Sequence, residues 1–275
     1  MSEANISLLP NFSVIRLSGQ DAFSFLQGQV TCDVNQLKQQ DWLAGCHCNA
    51  KGKMWSSFIA FTQEQDILLV MSKDSAQTSL AELNKYGVFA KADITDDSDN
   101  WHIYGSDAHL DKGVNFTLAD QHYLVLSQDK ISPNAEPALW WQREILSGRA
   151  HLFNGAIGEY VPQMLNLQAL DYISFNKGCY MGQEMVARMR YLGKNKRALY
   201  LAQADEELSL ETAEDVAIEL NGNKRSVGKV IHSQPYESKT WMQLVLPKDT
   251  KLTETLYLSS GQSVKLLELP YQIEE

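Results

Sequence analysis

A chain of 275 residues has the length of about two domains and can bury apolar cores that stand without disulfide staples. With 44% hydrophobic and 21% charged residues, 16 glycines and 7 prolines, it is neither a disordered nor a fibrous sequence. A formal charge of -10 and a pI near 5.1 argue against a surface devoted as a whole to nucleic acid or an anionic membrane, and leave room only for a local basic patch.

The first residues, Met1-Ser2-Glu3-Ala4-Asn5, carry an acid where a secretory leader would carry a base. No apolar run reaches the roughly 18 residues of a spanning helix. The expectation is a cytoplasmic protein. Ser13 to Leu17 reads as a strand running into Gly19, and Asp21 is placed to cap a helix in which Phe23, Leu26 and Val30 share a face. Apolar runs at Met54 to Phe61 and Asp66 to Met71 flank Thr62-Gln63-Glu64-Gln65 and predict a hairpin. A helix is predicted over Asp74 to Tyr86, followed by strands at Val88 to Ile94, Trp101 to Tyr104 and His122 to Leu126. Further helices are predicted at Ala138 to Leu146 and from near Gly182. Because this order lacks a regular strand-helix-strand rhythm, residues 1–197 are assigned to an α+β region.

From residue 198 to 275 the pattern changes. Six short strand candidates follow: Ala198 to Ala202, Val216 to Leu220, Ser226 to Ile231, Trp241 to Leu246, Leu256 to Leu258 and Val264 to Leu269. Asn221-Gly222 predicts a tight hairpin between the second and third. A small β-barrel or sandwich is expected. The acids of Asp205 to Asp215 read as a solvated loop.

Four cysteines, Cys32, Cys46, Cys48 and Cys179, are expected to stay reduced in a cytosolic chain. On a strand Cys46 and Cys48 share one face and His47 points away, so this triplet cannot complete a tetrahedral metal site. No stably bound metal is expected. Lys51-Gly52-Lys53 lacks the spacing of a phosphate-binding loop.

The most informative stretch is Phe175-Asn176-Lys177-Gly178-Cys179-Tyr180-Met181-Gly182-Gln183-Glu184. Two glycines bracket Cys179 just before a predicted helix. The helix dipole and nearby Lys177 would both favour a thiolate there, while an inert cysteine in a turn is the alternative on local physics. This segment resembles the K-G-C-Y-x-G-Q-E signature of the YgfZ family of folate-binding proteins, matching at Lys177, Gly178, Cys179, Tyr180, Gly182, Gln183 and Glu184. Leu26 to Val34 is similar to the family's Q-G-Q-V-T-x-D-V segment, and His47 to Met54 to its H-C-D-A-K-G-K-M stretch, with Asn49 in place of Asp. Asn166 to Leu170 and Pro270-Tyr271 also fit, so the resemblance spans nearly the whole chain.

The resemblance implies two interwoven α+β lobes and a C-terminal barrel in a ring, with tetrahydrofolate or a one-carbon derivative in a central cleft. It also implies a role in maintaining iron-sulfur enzymes and, through a tRNA methylthiotransferase, in tRNA modification. Two family tryptophans implicated in folate binding correspond to Phe12 and Trp140; Phe12 keeps a stacking face but lacks the indole N–H. The related aminomethyltransferases of glycine cleavage carry paired aspartates where this chain has Ser56-Ser57. A hydroxyl cannot supply their charge, so one-carbon transfer is the weaker alternative.

A direct RNA-binding module is a further reading. Lys177, Arg188, Arg190, Lys194, Lys196 and Arg197 face a single acid, Glu184, giving +5 in 21 residues with Tyr180, Tyr191 and Tyr200 nearby. A basic cleft edge serving folate carboxylates or a protein partner explains the same charges. An acidic chain with an internal cleft is expected to be a monomer.

Overall fold

The computed structural model describes residues 4–193, 195–220 and 222–273. In chain order its first lobe region contains β1 (Ile6–Leu8), β2 (Phe12–Ser18), α1 (Ala22–Gln27), β3 (Trp42–Cys48), β4 (Met54–Gln63), β5 (Asp66–Ser72) and α2 (Lys73–Gly87). Then come β6 (Asp93–Asp96), β7 (His102–Ser106), β8 (Val114–Ala119), β9 (His122–Ser127), α3 (Ala138–Leu146) and α4 (Gln183–Tyr191). The last part is strand only: β10 (Arg197–Ala204), β11 (Asp215–Leu220), β12 (Asn223–Tyr236), β13 (Lys239–Pro247), β14 (Leu256–Leu258) and β15 (Ser263–Leu267).

One antiparallel sheet has the order β3-β4-β5-β2-β6 and a second has β1-β7-β9-β8. Strands β1 and β2 belong to different sheets, so the two lobes are interwoven from the start of the chain. Side-chain alternation makes the first sheet apolar on both faces. Ile15, Leu17, Ile67, Leu69 and Met71 face Leu26 of α1 and Leu83 of α2. The intervening Phe12, Val14, Leu68 and Val70 pack against Ile103, Phe116 and Leu124 of the second sheet and against Trp140 and Trp141 of α3.

The six C-terminal strands close a barrel in the order β10-β13-β12-β11-β14-β15, which decides between barrel and sandwich. Ala202, Val216, Val230, Leu244, Leu256 and Val264 fill its interior. Leu199, Leu201, Ile231 and Val245 point outward instead, against Cys46, Cys48, Met54, Leu152 and Tyr172. That seam welds the barrel to the first lobe. Asn221 lies outside the described residues; β11 and β12 pair around it at Leu220 and Asn223.

Three local expectations are corrected. The apolar run Val88 to Ile94 is not a strand: α2 continues to Gly87, Val88 and Phe89 stand 70% and 99% exposed, and only Asp93–Asp96 pairs with β2. Asp21 stands at the N-cap position of α1 as expected, but its side chain makes no capping bond; the carboxylate instead accepts the Lys91 N–H at 2.9 Å and ties that exposed turn to the helix start. Val30 lies past the end of α1, where it forms an isolated bridge with His47. Strands β1, β3 and β8 were not anticipated from the sequence. No helix among the described residues is long and apolar enough to cross a membrane.

Candidate functional site

Three separate segments meet at the loop that precedes α4. The Lys177 ammonium donates to the carbonyls of Gln27, Val30 and Cys32 at 2.7, 2.8 and 2.7 Å, a tripod that binds the 27–32 turn to the 175–184 loop. Burial pulls this amine down to about 8. Its charge also lies over the Tyr180 ring, with Nζ 5.2 Å from the centroid. Met181 N–H donates to Gly28 O, and Ser174 N–H to Thr31 O, adding two backbone ties between the same segments.

The third segment is the turn at 49–53. Asn49 Oδ1 accepts the N–H groups of Lys51 and Lys53, bonds that the carboxylate of the family's usual Asp could equally accept. Gly182, at φ 83°, presses its backbone on this turn: a Cβ there would lie 2.5 Å from Asn49 O. From this three-way junction Cys179 projects into solvent beside Gly28, Ala50 and Gln183, in an open depression of about 470 Å³. Lys177 is thus an anchor for the loop that carries the thiol, with its donors directed to carbonyls.

The other cysteines are buried in packing. Cys32 belongs to the first lobe's core, where burial pushes its thiol up to about 12. Cys46 and Cys48 lie in the barrel seam, with burial also raising both. His47 faces the other way, its Nδ1 3.2 Å from Ser79 Oγ, and burial lowers it to about 4. No group of metal-ligating side chains occurs among the described residues. Ser56 accepts from Ser79 at 2.8 Å and Ser57 donates to Ala150 O at 2.6 Å; both hydroxyls are buried and engaged.

A cleft of about 850 Å³ opens between the 32–44 segment and the 170–176 segment, with Trp42, Tyr172, Phe175, Tyr191, Arg149 and Arg190 among its lining residues. Phe12 and Trp140 do not line it. Phe12 stacks on Trp141, with centroids 5.5 Å apart, and Trp140 donates its indole N–H to Tyr123 O at 2.8 Å. They are 6% and 4% exposed in the core between the sheets.

Among known proteins, a tRNA-modifying protein YgfZ from Colwellia psychrerythraea is 34% identical, over 99% of this chain and 95% of its own length. One from Vibrio vulnificus is 35% identical over 100% and 94%. The chain belongs to the YgfZ family. No protein-family model matches it. Among solved structures, the glycine cleavage system aminomethyltransferase T from Bartonella henselae superposes with a TM-score of 0.68 at 12% identity, covering 97% of this chain and 86% of that one. The fold is therefore the aminomethyltransferase fold with a closed six-stranded barrel at its C-terminal end.

Within this YgfZ-family chain the basic run does not act as one patch. Arg188 pairs with Glu184 at 2.6 Å, and Arg190 lies over Phe175 with its guanidinium carbon 4.0 Å from the ring centroid. Arg197 donates to Val227 O, Lys196 is exposed, and Lys194 lies outside the described residues. Of the interleaved tyrosines, Tyr180 is buried and the Tyr200 hydroxyl donates into the 247–250 turn, which leaves Tyr191 as the exposed ring.

Sequence reasoning missed a buried ionic cluster. Glu144 of α3 accepts from His122 Nε2 and His151 Nε2 at 2.7 Å each and from Arg149 Nε at 2.9 Å. These partners hold its carboxyl well below the usual range despite burial. Arg149 reaches from this cluster to the cleft wall. The signal available was Glu144 in the last turn of a predicted helix with His122, Arg149 and His151 scattered outside it, too common a set to single out.

Proposed function

We propose that this chain is an accessory factor in tRNA modification: it binds a reduced folate in the 850 Å³ cleft and presents Cys179 to an iron-sulfur enzyme of methylthiolation. The observation that carries the reading is the exposed thiol itself, mounted where three motif segments are bound together by the Lys177 tripod. A thiol so placed is able to serve as a nucleophile or as a transient iron ligand. The names of the YgfZ relatives support the tRNA context, and the aminomethyltransferase fold supports a folate ligand.

The cleft's chemistry fits folate. Its volume falls in the usual range of small-molecule sites, about 300–1,000 Å³. Trp42, Phe175 and Tyr191 offer flat faces to a pterin and its aminobenzoyl ring. A pterin edge presents adjacent N–H donors, for which Asp33, Asp41 and Asp171 supply carboxylates in the cleft, and Arg190 supplies a guanidinium group for the glutamate carboxylates. Phe12, Trp140 and the Glu144 cluster would act from behind, holding α3 and Arg149 in place.

Folate-dependent aminomethyl transfer by this chain is the weaker alternative, since Ser56 and Ser57 are buried hydroxyls committed to neighbours. Direct tRNA contact would have to use Arg188, Lys196 and Tyr191. Calorimetric titration of tetrahydrofolate tests the reading. Wild type and Cys179→Ala are expected to bind alike, with Arg190→Ala at least about tenfold weaker, as loss of a charge-assisted contact requires. Failure of wild type to bind any reduced folate would remove the folate assignment, and turnover of an aminomethyl donor would replace it with transferase activity.

A further inference from the structure

The large cleft has a continuation. A second depression, of about 150 Å³, adjoins it, and the two share Phe175 and Arg190 among their lining residues. The Arg190 guanidinium is held at this boundary by the Phe175 ring, with its carbon 4.0 Å from the centroid. Two residues earlier Arg188 is paired with Glu184, whereas Arg190 enters no salt bridge among the described residues.

Beyond Arg190 the surface gathers further cations. Lys248 is also among the residues lining the second depression, and its N–H donates to Lys196 O at 3.0 Å, so the backbone just before β10 and the backbone just after β13 bring two lysines together. Both lysines are exposed. The segments 188–197 and 248–251 hold seven bases and one acid, Asp249, in a chain whose formal charge is -10. Part of that charge is already committed, since Arg197 donates to Val227 O and Arg188 pairs with Glu184. What remains is a row of Arg190, Lys248 and Lys196 that starts at the boundary of the cleft and continues over the surface to the start of the barrel.

Separate cations in a row suit a flexible ligand that carries carboxylates at intervals. In the folate reading Arg190 receives the glutamate carboxylates of the ligand in the cleft. Each further glutamate joined through the γ-carboxyl adds one more ionised α-carboxylate beyond that point. RNA fits the row less well, because a stacking platform needs several open aromatic faces, while Tyr180 is buried and the Tyr200 hydroxyl is bonded into the 247–250 turn.

We propose that the row Arg190, Lys248, Lys196 holds the γ-linked glutamate tail of a reduced folate, so that this chain selects polyglutamylated folate over the monoglutamate. The proposal rests on the folate reading of the cleft and names the form of the ligand. Because the contacts are exposed, the selection is electrostatic, accumulates over the tail and is screened by salt.

Calorimetric titration of the full chain with tetrahydrofolate and with its pentaglutamate, at low and at high salt, tests the proposal. Wild type is compared with a Lys196→Ala, Lys248→Ala double variant, in which two exposed side chains are shortened and the cleft walls are untouched. The expected result is pentaglutamate bound at least about fivefold more tightly than the monoglutamate by wild type at low salt, an advantage that shrinks at high salt. In the double variant the advantage should fall below about twofold, with monoglutamate affinity unchanged. Equal affinity of wild type for the two forms overturns the proposal and leaves the folate reading standing. An advantage that the double variant retains in full overturns the assigned row. Failure of wild type to bind either form removes the folate reading and this proposal with it.

Discussion

The β3–β4 hairpin and the 175–184 loop are both rich in side chains that chemistry uses, and the fold treats them in opposite ways. In the hairpin Cys46, Cys48, Ser56 and Ser57 are buried, two in the barrel seam and two bonded to neighbours. In the loop the surroundings are fixed just as firmly, by the Lys177 tripod and by Gly182 against Asn49, yet Cys179 is left in solvent. The lesson is that residue type names a candidate, whereas the packing around it decides whether a thiol or hydroxyl is structure or instrument.

The largest effect that this contrast predicts is kinetic. An aromatic disulfide reagent is expected to modify one of the four thiols of the native chain rapidly. Cys32, Cys46 and Cys48 should react slower by roughly a thousandfold or more, because each must await an opening of the core. Comparable rates for two thiols would break the comparison.

Next is the anchor. Lys177→Met leaves three carbonyls without their shared charged donor and should cost about 3 kcal/mol in urea unfolding, with hydrogen exchange accelerating in both 27–32 and 175–184. Exchange confined to one segment would show that the tripod does not join them.

The buried side of the contrast appears in acid, in His47 of β3 and His232 of β12. Burial lowers His47 to about 4 and His232 to about 3, below the ordinary histidine value, so each native imidazole refuses a proton that the unfolded chain accepts. Stability should therefore fall as pH drops from about 6.5 towards 4, by about 1.4 kcal/mol per pH unit for each site. His47→Gln should remove about half of that slope, and an unchanged slope would place the proton uptake elsewhere. The smallest effect belongs to the loop's surface: Arg188→Ala breaks an exposed pair with Glu184 and should change stability by no more than about 0.5 kcal/mol.

The sequence made the alternating strands legible, because Ser13 to Leu17, Met54 to Phe61 and the six barrel strands carry both period and turn signals. It misled at Val88 to Ala92, where Val88 and Phe89 are exposed at a helix end and the paired strand begins only at Asp93. It was silent on β3, whose Trp-Leu-Ala-Gly-Cys-His-Cys lacks alternation and contains Gly45, a position where a Cβ would strike Cys32 Sγ at 2.5 Å. The 175–184 motif pointed to the site, but proximity in sequence suggested that Lys177 serves Cys179. The fold instead sends that amine to a turn about 150 residues away, a relation that only tertiary structure reveals. Phe12 and Trp140 carry aromatic faces that the sequence offers to a ligand, but in the fold Phe12 stacks on Trp141 and meets Trp140 edge-on.

The most direct test of the account is to quantify methylthiolated nucleosides in tRNA from cells whose own copy of this gene is replaced by wild type, Cys179→Ser or Cys46→Ala, each shown to be folded. Cys179→Ser is expected to lose the modification while keeping its unfolding midpoint, and Cys46→Ala to keep the modification despite lower stability. Full modification with Cys179→Ser would contradict it.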